Sequence, residues 1–221
     1  MSSHTPPTAE LDHIVVAAHN LDQGCEYVRD RLGVVPTGGG KHVAMGTHNR
    51  VLKLGRDCYL EVIAIDPGAQ SPDMPRWFNL DDPDVQEQLR SQPRLITWVV
   101  RTEAIDRLAR DIFNDRLVVR PMRRDALRWR FAFSLDGSMP GDGLIPHLIQ
   151  WDHPVHPAAN MKASGCKIMH LEGLHVDPPP VRSVIASMGV DGAIAITRAT
   201  AQRPSGLAVH VATPKGRVLL D

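Results

Sequence analysis

The stretch LDHIVVAAHNLDQGCEYVRDRLGV (residues 11–34) decides the fold of this chain. It begins with a β-branched apolar run, LDHIVVAA (11–18), which is typical of a buried strand. The run is followed by an N-cap residue with its capping-box partner, then by an apolar stripe at helical spacing and a terminating glycine. These are Asn20, Gln23, the stripe Leu21, Val28 and Leu32, and Gly33. The stretch therefore predicts a strand followed by an amphipathic helix over residues 21–32.

Three more strands complete a first unit over residues 10–66. A glycine cluster, GGG at 38–40, allows a tight turn after the helix. The strands are predicted at 42–47, 49–55 and 59–66. The sequence GGGK is not a phosphate-binding loop, because the GxxxxGK[ST] spacing fails. Residues 1–9 are polar and predict a flexible tail.

The same order of elements returns over residues 94–155. Strands are predicted at 96–102, 117–121, 127–134 and 146–152, and a helix is marked by Ile105, Leu108 and Ile112. The closing strands of the two units correspond in detail. Glu61 precedes Asp66 by five residues, and His147 precedes Asp152 by five. Internal repetition of one βαβββ unit is therefore the main organisational signal.

A third, shorter unit of βαββ type is predicted over residues 166–221. At its closing position stands Gly216, so we expect this unit to serve packing or to cap a sheet edge. Residues 67–93 predict a loop with a short helix near 82–91. Because a lone unit leaves one sheet face bare, the units must pair. We expect an α+β protein whose repeated βαβββ units form curved mixed sheets around a concave pocket.

Composition narrows the function classes. Lys plus Arg and Asp plus Glu both number 25, and this balance argues against nucleic-acid or membrane-surface binding. The three cysteines contain no CxxC pair, which argues against a disulfide framework or a structural zinc site. There is no apolar signal core near the N-terminus and no run of about 20 apolar residues. We expect a cytoplasmic protein with a small-molecule substrate.

The first unit resembles the glyoxalase-like domains of the vicinal oxygen chelate superfamily. The resemblance is carried by residues 11–34, by GGGKHVAMGTHNRVLKLG (38–55) and by YLEVIAID (59–66). It covers residues 10–155 well and extends more weakly to the third unit. That superfamily hosts isomerases, lyases, dioxygenases, thiol transferases and metal-free drug-binding proteins, so the resemblance implies a fold more than a reaction.

The resemblance also implies a metal site on the concave face, with ligands from the first and last strands of two paired units. The matching positions are His13, Glu61, Thr97 and His147. Two imidazoles and one carboxylate suit Zn, Ni, Mn, Co or Fe(II). Thr97 departs from the pattern, so either water fills its place or no metal binds. The alternatives are core histidines with satisfied hydrogen bonds and a carboxylate bound to arginine or backbone donors.

Several other residues are candidates for the pocket. His42 is a candidate acid, base or substitute ligand, or else a surface residue at a turn. Arg128 and Arg130 share one face of a strand and are expected to face the concavity and clamp an anion, or else to form a solvated edge. The remaining substrate-binding candidates, with turn stabilisation or core packing as the alternatives, are Thr47, Asn49, Thr97 and Trp151.

Two functions follow as hypotheses. The first is a lyase or isomerase acting on a small oxygen-rich, anionic metabolite through a metal held by His13, Glu61 and His147, with His42 and Glu61 as catalytic residues. The second is a metal-free protein of the same fold that binds a small molecule or confers resistance to it. The resemblance also implies a homodimer.

Overall fold

The computed structural model describes residues 9–114 and 116–221. The predicted tail, residues 1–9, lies outside the described residues except for Ala9, which begins the first strand. Within the described ranges, no helix combines the length and apolar character needed to cross a bilayer. The elements of the first unit are β1 (Ala9–Ala17), α1 (Leu21–Leu32), β2 (Thr37–His42), β3 (Thr47–Lys53) and β4 (Tyr59–Ile65).

The signals around α1 act as the sequence predicts. The Asn20 side chain accepts a hydrogen bond from the backbone N–H of Gln23, and Gly33 ends the helix with a φ of 74°. The predicted strand at 42–47 is wrong, because the glycine run forms β2 and residues 43–45 form a 3₁₀ turn. Gly39 has a φ of 85° and lies against β3 at a register shift. The glycine run therefore allows β2 and β3 to approach closely and does not form a turn.

The second unit follows a loop and the short helix predicted near 82–91. Asp82 caps that helix, since its side chain accepts from two backbone N–H groups of the first turn. The elements are α2 (Pro83–Ser91), β5 (Arg94–Thr102), α3 (Ile105–Phe113), β6 (Leu117–Arg124), β7 (Leu127–Ser134) and β8 (His147–Trp151).

The two units form one eight-stranded, curled half-barrel sheet in the order β2-β3-β4-β1-β5-β8-β7-β6. They join at their first strands, where β1 and β5 run antiparallel and Val15 lies opposite Thr97. Each first strand also pairs in parallel with the last strand of its own unit. The four strands that carry the predicted ligands therefore lie side by side at the centre of the sheet.

The C-terminal unit contains β9 (Lys167–His175), α4 (Pro178–Ser187), β10 (Ile194–Arg198), β11 (Gly206–Thr213) and β12 (Gly216–Leu220). Its sheet has the order β10-β9-β11-β12, so its first strand pairs with its second and third. In the other two units the first strand pairs with the fourth. The expected third copy therefore repeats the order of elements but not their pairing.

The large sheet has an apolar core on each face. On the outer face, α1, α3 and the small sheet pack against residues such as Trp98 and Leu148. On the concave face, Phe131 and Phe133 pack against Trp77 and Phe78 from the loop before α2. Because strand residues alternate faces, the concave side also receives a set of buried polar side chains. These are His13, His42, Thr47, Asn49, Glu61, Thr97 and His147.

Candidate active site

Glu61 is the centre of the polar group on the concave face. It lies on β4 with only 6% of its surface exposed. Its Oε1 accepts a hydrogen bond from Asn49 Nδ2 at 2.5 Å, and His42 Nε2 lies 3.9 Å from the same oxygen. His13 Nε2 lies 3.7 Å from Oε2. Two imidazoles and an amide thus surround a carboxylate whose burial alone would be costly.

His13 is held in place by Asp12, a residue that the sequence analysis did not single out. His13 Nδ1 donates to Asp12 Oδ1 at 2.6 Å, and its ring stacks on Tyr59 at 4.5 Å. Asp12 Oδ2 accepts from Trp151 Nε1 at 2.8 Å and lies 2.9 Å from His156 Nε2. Burial raises the pKa of Asp12, but hydrogen bonds with His13 and His156 outweigh it and hold that pKa below its usual range. An ionised Asp12 directs His13 Nε2 towards Glu61.

Asn49 links Glu61 to a cation. Its Oδ1 accepts from the backbone N–H of Gly40 and from Arg124 Nη1, both at 2.9 Å. Two donors on this oxygen fix the amide orientation and leave Nδ2 for Glu61. Arg124 comes from β6, the edge strand opposite β2, so it reaches Asn49 because the curled sheet brings its two edges together. The sequence carries no local signal for this contact.

His42 lines both the inner pocket and the cavity that adjoins it. Its Nδ1 lies 3.1 Å from Thr47 Oγ1, and its ring meets Trp77 edge-on at 5.2 Å. Burial lowers its pKa to about 4. The ring is therefore a neutral imidazole at pH 7 and can accept a proton.

His147 lies apart from the other two predicted ligands. Its Nδ1 faces the carbonyl oxygen of Ala132 at 3.4 Å, and its Nε2 has no hydrogen-bond partner among the described residues. Phe78 and Phe131 flank the ring at 5.0 and 5.7 Å. Burial lowers the pKa of His147 to about 4. The ligand atoms of His13, Glu61 and His147 do not all lie within 4.8 Å of one another in the described structure.

The donor set nevertheless suits a divalent metal in its chemistry. His13 has its outer nitrogen tied to a carboxylate, and His147 has its outer nitrogen against a backbone carbonyl; both are arrangements typical of metal-bound histidine. In each ring Nε2 is the nitrogen that remains available to a metal, and the buried Nε2 of His147 lacks a hydrogen-bond partner among the described residues. Thr97 is not free to contribute, since its hydroxyl is fully buried and donates to the carbonyl of Gly143 at 3.1 Å. The structure brings His13 and Glu61 to a spacing that one ion could bridge.

The prediction that Arg130 faces the concavity is wrong. Arg130 lies on the outer face, where it donates to Asp106 of α3 and to Gln150. Arg128 is exposed and lines a cavity that adjoins the inner pocket, so its contact with an anion stays a prediction. The aromatic face of β7, which includes Trp129, packs into the concavity instead of on the helices. Trp151 does line the inner pocket, as expected of a pocket wall.

The inner pocket is small, and the loop before α2 closes it. A cavity of about 30 Å³ lies among Glu61, His13, Arg124 and the aromatic walls. A wider cavity of about 970 Å³ adjoins it and shares Trp77 and Arg124. Phe78, which fills the concavity beside His147, has a φ of 63°. A non-glycine residue in this region of backbone space is strained, which is common where a loop covers a site.

Comparisons with known proteins agree with this architecture. A family model described as "Glyoxalase-like domain" matches residues 11–189. A solved structure of a hypothetical protein from Staphylococcus aureus aligns with a TM-score of 0.58 and 13% identity over 96% of this chain and 84% of its own. Methylmalonyl-CoA epimerase from Mycobacterium tuberculosis aligns at 0.41 and 16% identity, covering 68% of this chain and 91% of its own. No curated protein matches. The chain belongs to the glyoxalase-like domain family, within the vicinal oxygen chelate superfamily.

Proposed function

We propose that this chain is a lyase or isomerase that moves a proton on a small, oxygen-rich, anionic metabolite, with a divalent metal at its centre. The observation that supports this most is the pair of imidazole nitrogens beside the two oxygens of the buried Glu61 carboxylate. Burying three titratable side chains side by side is costly, and such clusters are typical of functional sites.

In this proposal His13 and Glu61 would hold the metal, and His147, whose buried Nε2 lacks a hydrogen-bond partner among the described residues, would be the third ligand. A bound divalent ion supplies Lewis-acid stabilisation of an enolate-like anion. His42 Nε2 accepts a proton, since burial keeps this ring neutral at pH 7. Arg124 lines the pocket and attracts the negative charge of the substrate.

Asn49 and Thr47 act as positioning groups. Asn49 holds the Glu61 carboxylate, and Thr47 holds the His42 ring through Nδ1. The loop before α2 excludes water from the reacting atoms. We place the reaction in the cytoplasm, where the three free thiols of the described residues would persist.

The test compares Glu61→Gln with a matched control, Glu26→Gln, on the exposed face of α1. Metal content is measured in protein purified without chelator. Activity is followed in D₂O as loss of the NMR signals of the C3 protons of small 2-oxo acids and of the C2 proton of small 2-hydroxy acids. We expect wild type and E26Q to hold metal and exchange protons, and E61Q to lose one equivalent of metal together with the proton exchange. Wild type without metal, before or after adding Zn, Ni, Mn, Co or Fe(II), would overturn the metal-dependent proposal.

A second function, metal-free binding of a small anion, is favoured by one observation. Glu61, Asn49 and Arg124 already form a satisfied hydrogen-bonded chain. A binding protein should keep its ligand in E61Q and lose it in Arg124→Gln. The enzyme proposal predicts instead that E61Q is the more damaging change to turnover.

A further inference from the structure

We propose a second metal site, on the solvent face of the C-terminal sheet, formed by His170, Glu172 and His210 and suited to Zn²⁺. In the described part of the chain, these are the three side chains whose ligand atoms all lie within 4.8 Å of one another. The site is separate from the concave pocket, because it lies on the small sheet that packs outside the large one.

Strand geometry explains the cluster. His170 and Glu172 are two residues apart on β9 and so point to the same face. His210 of β11 pairs directly with His170 across the antiparallel ladder, next to a register shift. The alternate residues, such as Leu171 and Val209, are buried in the core. The pattern of the strands therefore directs all three ligand-type side chains outward.

One of the two distances to Glu172 fits a shared ion, and the other is a hydrogen-bond distance that would lengthen by a few tenths of an ångström when an ion binds. His210 Nε2 lies 3.0 Å and His170 Nε2 lies 3.5 Å from the same oxygen, Glu172 Oε1. Metal–ligand bonds of about 2.0–2.2 Å at tetrahedral angles place ligand atoms about 3.3–3.5 Å apart. The imidazole rings are stacked at 4.1 Å and 18°, so both present Nε2 on the same side.

An ion suits this arrangement better than two protonated rings do. If both rings were protonated, two like charges would face each other across the 4.1 Å stack. As metal ligands, both rings are neutral and face one cation. Arg203 Nη2 lies 3.8 Å from Glu172 Oε2, which leaves Oε1 as the ligand oxygen.

Neighbouring residues leave room for a fourth ligand. The residues beside Glu172 on the flanking strands are Ala195 and Ala208, whose methyl groups are short. Glu172 and His210 keep about a third of their side-chain surface exposed. Three protein ligands and an open position match a zinc site that binds a water or an external donor. Two imidazoles and one carboxylate disfavour Mg²⁺ and Ca²⁺.

The experiment measures Zn²⁺ uptake by the full chain in competition with a chromogenic chelator. The variants are His170→Ala, Glu172→Gln and His210→Ala, with His175→Ala on the same strand as control. We expect each cluster variant to lower the affinity for one equivalent of Zn²⁺ by at least about tenfold. H175A and E61Q should bind that equivalent with the affinity of wild type. Failure of the second site can therefore be distinguished from loss of metal in the concave pocket. Circular dichroism confirms that each variant is folded.

Two further measurements decide the outcome. Co²⁺ should give the intense visible bands of a four-coordinate ion in wild type and lose them in H210A. Mg²⁺ should not displace Zn²⁺. If H170A and H210A bind Zn²⁺ as wild type does, or if wild type has no Zn²⁺ equivalent that depends on His210, the site does not exist.

Discussion

At the scale of single residues, one buried carboxylate sets the orientation of the candidate site. Asp12 is fully buried, and three side-chain groups converge on its two oxygens. It ties β1 to Trp151 at the end of β8 and to His156 beyond it. The ring of His13 depends on this network for its tautomer, because a proton on Nδ1 leaves Nε2 as the acceptor or ligand atom.

Replacing Asp12 by Asn should therefore damage both stability and the site. The amide NH₂ must face at least one of the groups that the carboxylate now accepts from, which leaves buried donors unpaired. We expect D12N to lower the free energy of unfolding by about 1–3 kcal/mol in urea denaturation. Asp57→Asn, at a half-exposed loop position, serves as control. Equal stability of D12N and wild type would show that the network contributes little.

His147 makes stability depend on pH. Its pKa is about 4 in the folded chain against an ordinary value of 6.5. Between these values the unfolded chain binds a proton that the folded chain does not, so stability falls as the pH drops from about 6.5 to 4. In His147→Phe we expect the loss of unfolding free energy between pH 7 and pH 4 to shrink by roughly 3 kcal/mol. Urea denaturation at pH 7 and pH 4, with EDTA present, measures the unfolding free energy of both proteins. The same pH dependence in H147F as in wild type would contradict a lowered pKa of His147.

Two of the site residues were predicted from different signals. Glu61 lies between Leu60 and Val62, and a carboxylate between apolar neighbours on a strand must face a pocket. His13 was predicted from the resemblance to glyoxalase-like domains. Asp12 and Arg124 could not be found in this way. Their contacts exist only because the sheet curls and brings separate strands together. Arg130 was assigned to the wrong face because the aromatic residues of β7 could pack either on the helices or in the concavity. They pack in the concavity, so Arg130 faces outward.

At the scale of elements, the glycine run controls how β2 meets the site. A Cβ on Gly39 would lie 2.1 Å from the backbone oxygen of Asn49. A Cβ on Gly40 would lie 2.7 Å from Arg124 Cδ. The run thus lets β2 approach Asn49 on one side and Arg124 on the other.

Gly39→Ala should displace Asn49 and weaken its hold on Glu61. We expect a loss of about 1–3 kcal/mol in unfolding free energy, since the φ of 85° is also unfavourable for alanine. Gly192→Ala is the matched control, because a Cβ there meets nothing within 4 Å. Its effect should stay within about 0.5 kcal/mol. Equal thermal unfolding of the two variants would refute the role given to the run.

The loop before α2 is fastened by a glycine of the second unit. Gly137 accepts a hydrogen bond from the backbone N–H of Asn79, and a Cβ on it would lie 2.3 Å from the carbonyl oxygen of Arg76. Gly137→Ala should push this segment outward and expose Trp77. We expect stronger acrylamide quenching of tryptophan fluorescence and faster cleavage by trypsin in the loop. Unchanged quenching would mean that the loop is held by its aromatic side chains alone.

Helices were easier to predict than strand pairing. Caps and apolar stripes are local signals. Both mark α1, and the stripe alone marks α3. The position of β2 was predicted wrongly because glycine usually marks turns, whereas here Gly38 and Gly39 form a bulge inside a strand.

In the molecule as a whole, the first two units form one concave sheet, and the C-terminal unit packs on its outer face. The concave sheet is completed within one chain, since β1 and β5 join the units directly. The homodimer therefore stays a prediction that the site does not require. The pairing of the C-terminal unit could not be read from sequence, because the same order of strands and helix fits either arrangement.

The proposed function requires that His13 and Glu61 share one divalent ion in the concave pocket. Anomalous diffraction from crystals soaked in Zn²⁺ or Ni²⁺ tests it most directly, with E61Q crystals as the control. We expect a peak bonded to His13 Nε2 and Glu61 Oε2 in wild type and its loss in E61Q. Wild-type crystals whose anomalous peaks all lie elsewhere, with the concave pocket free of metal, would contradict it.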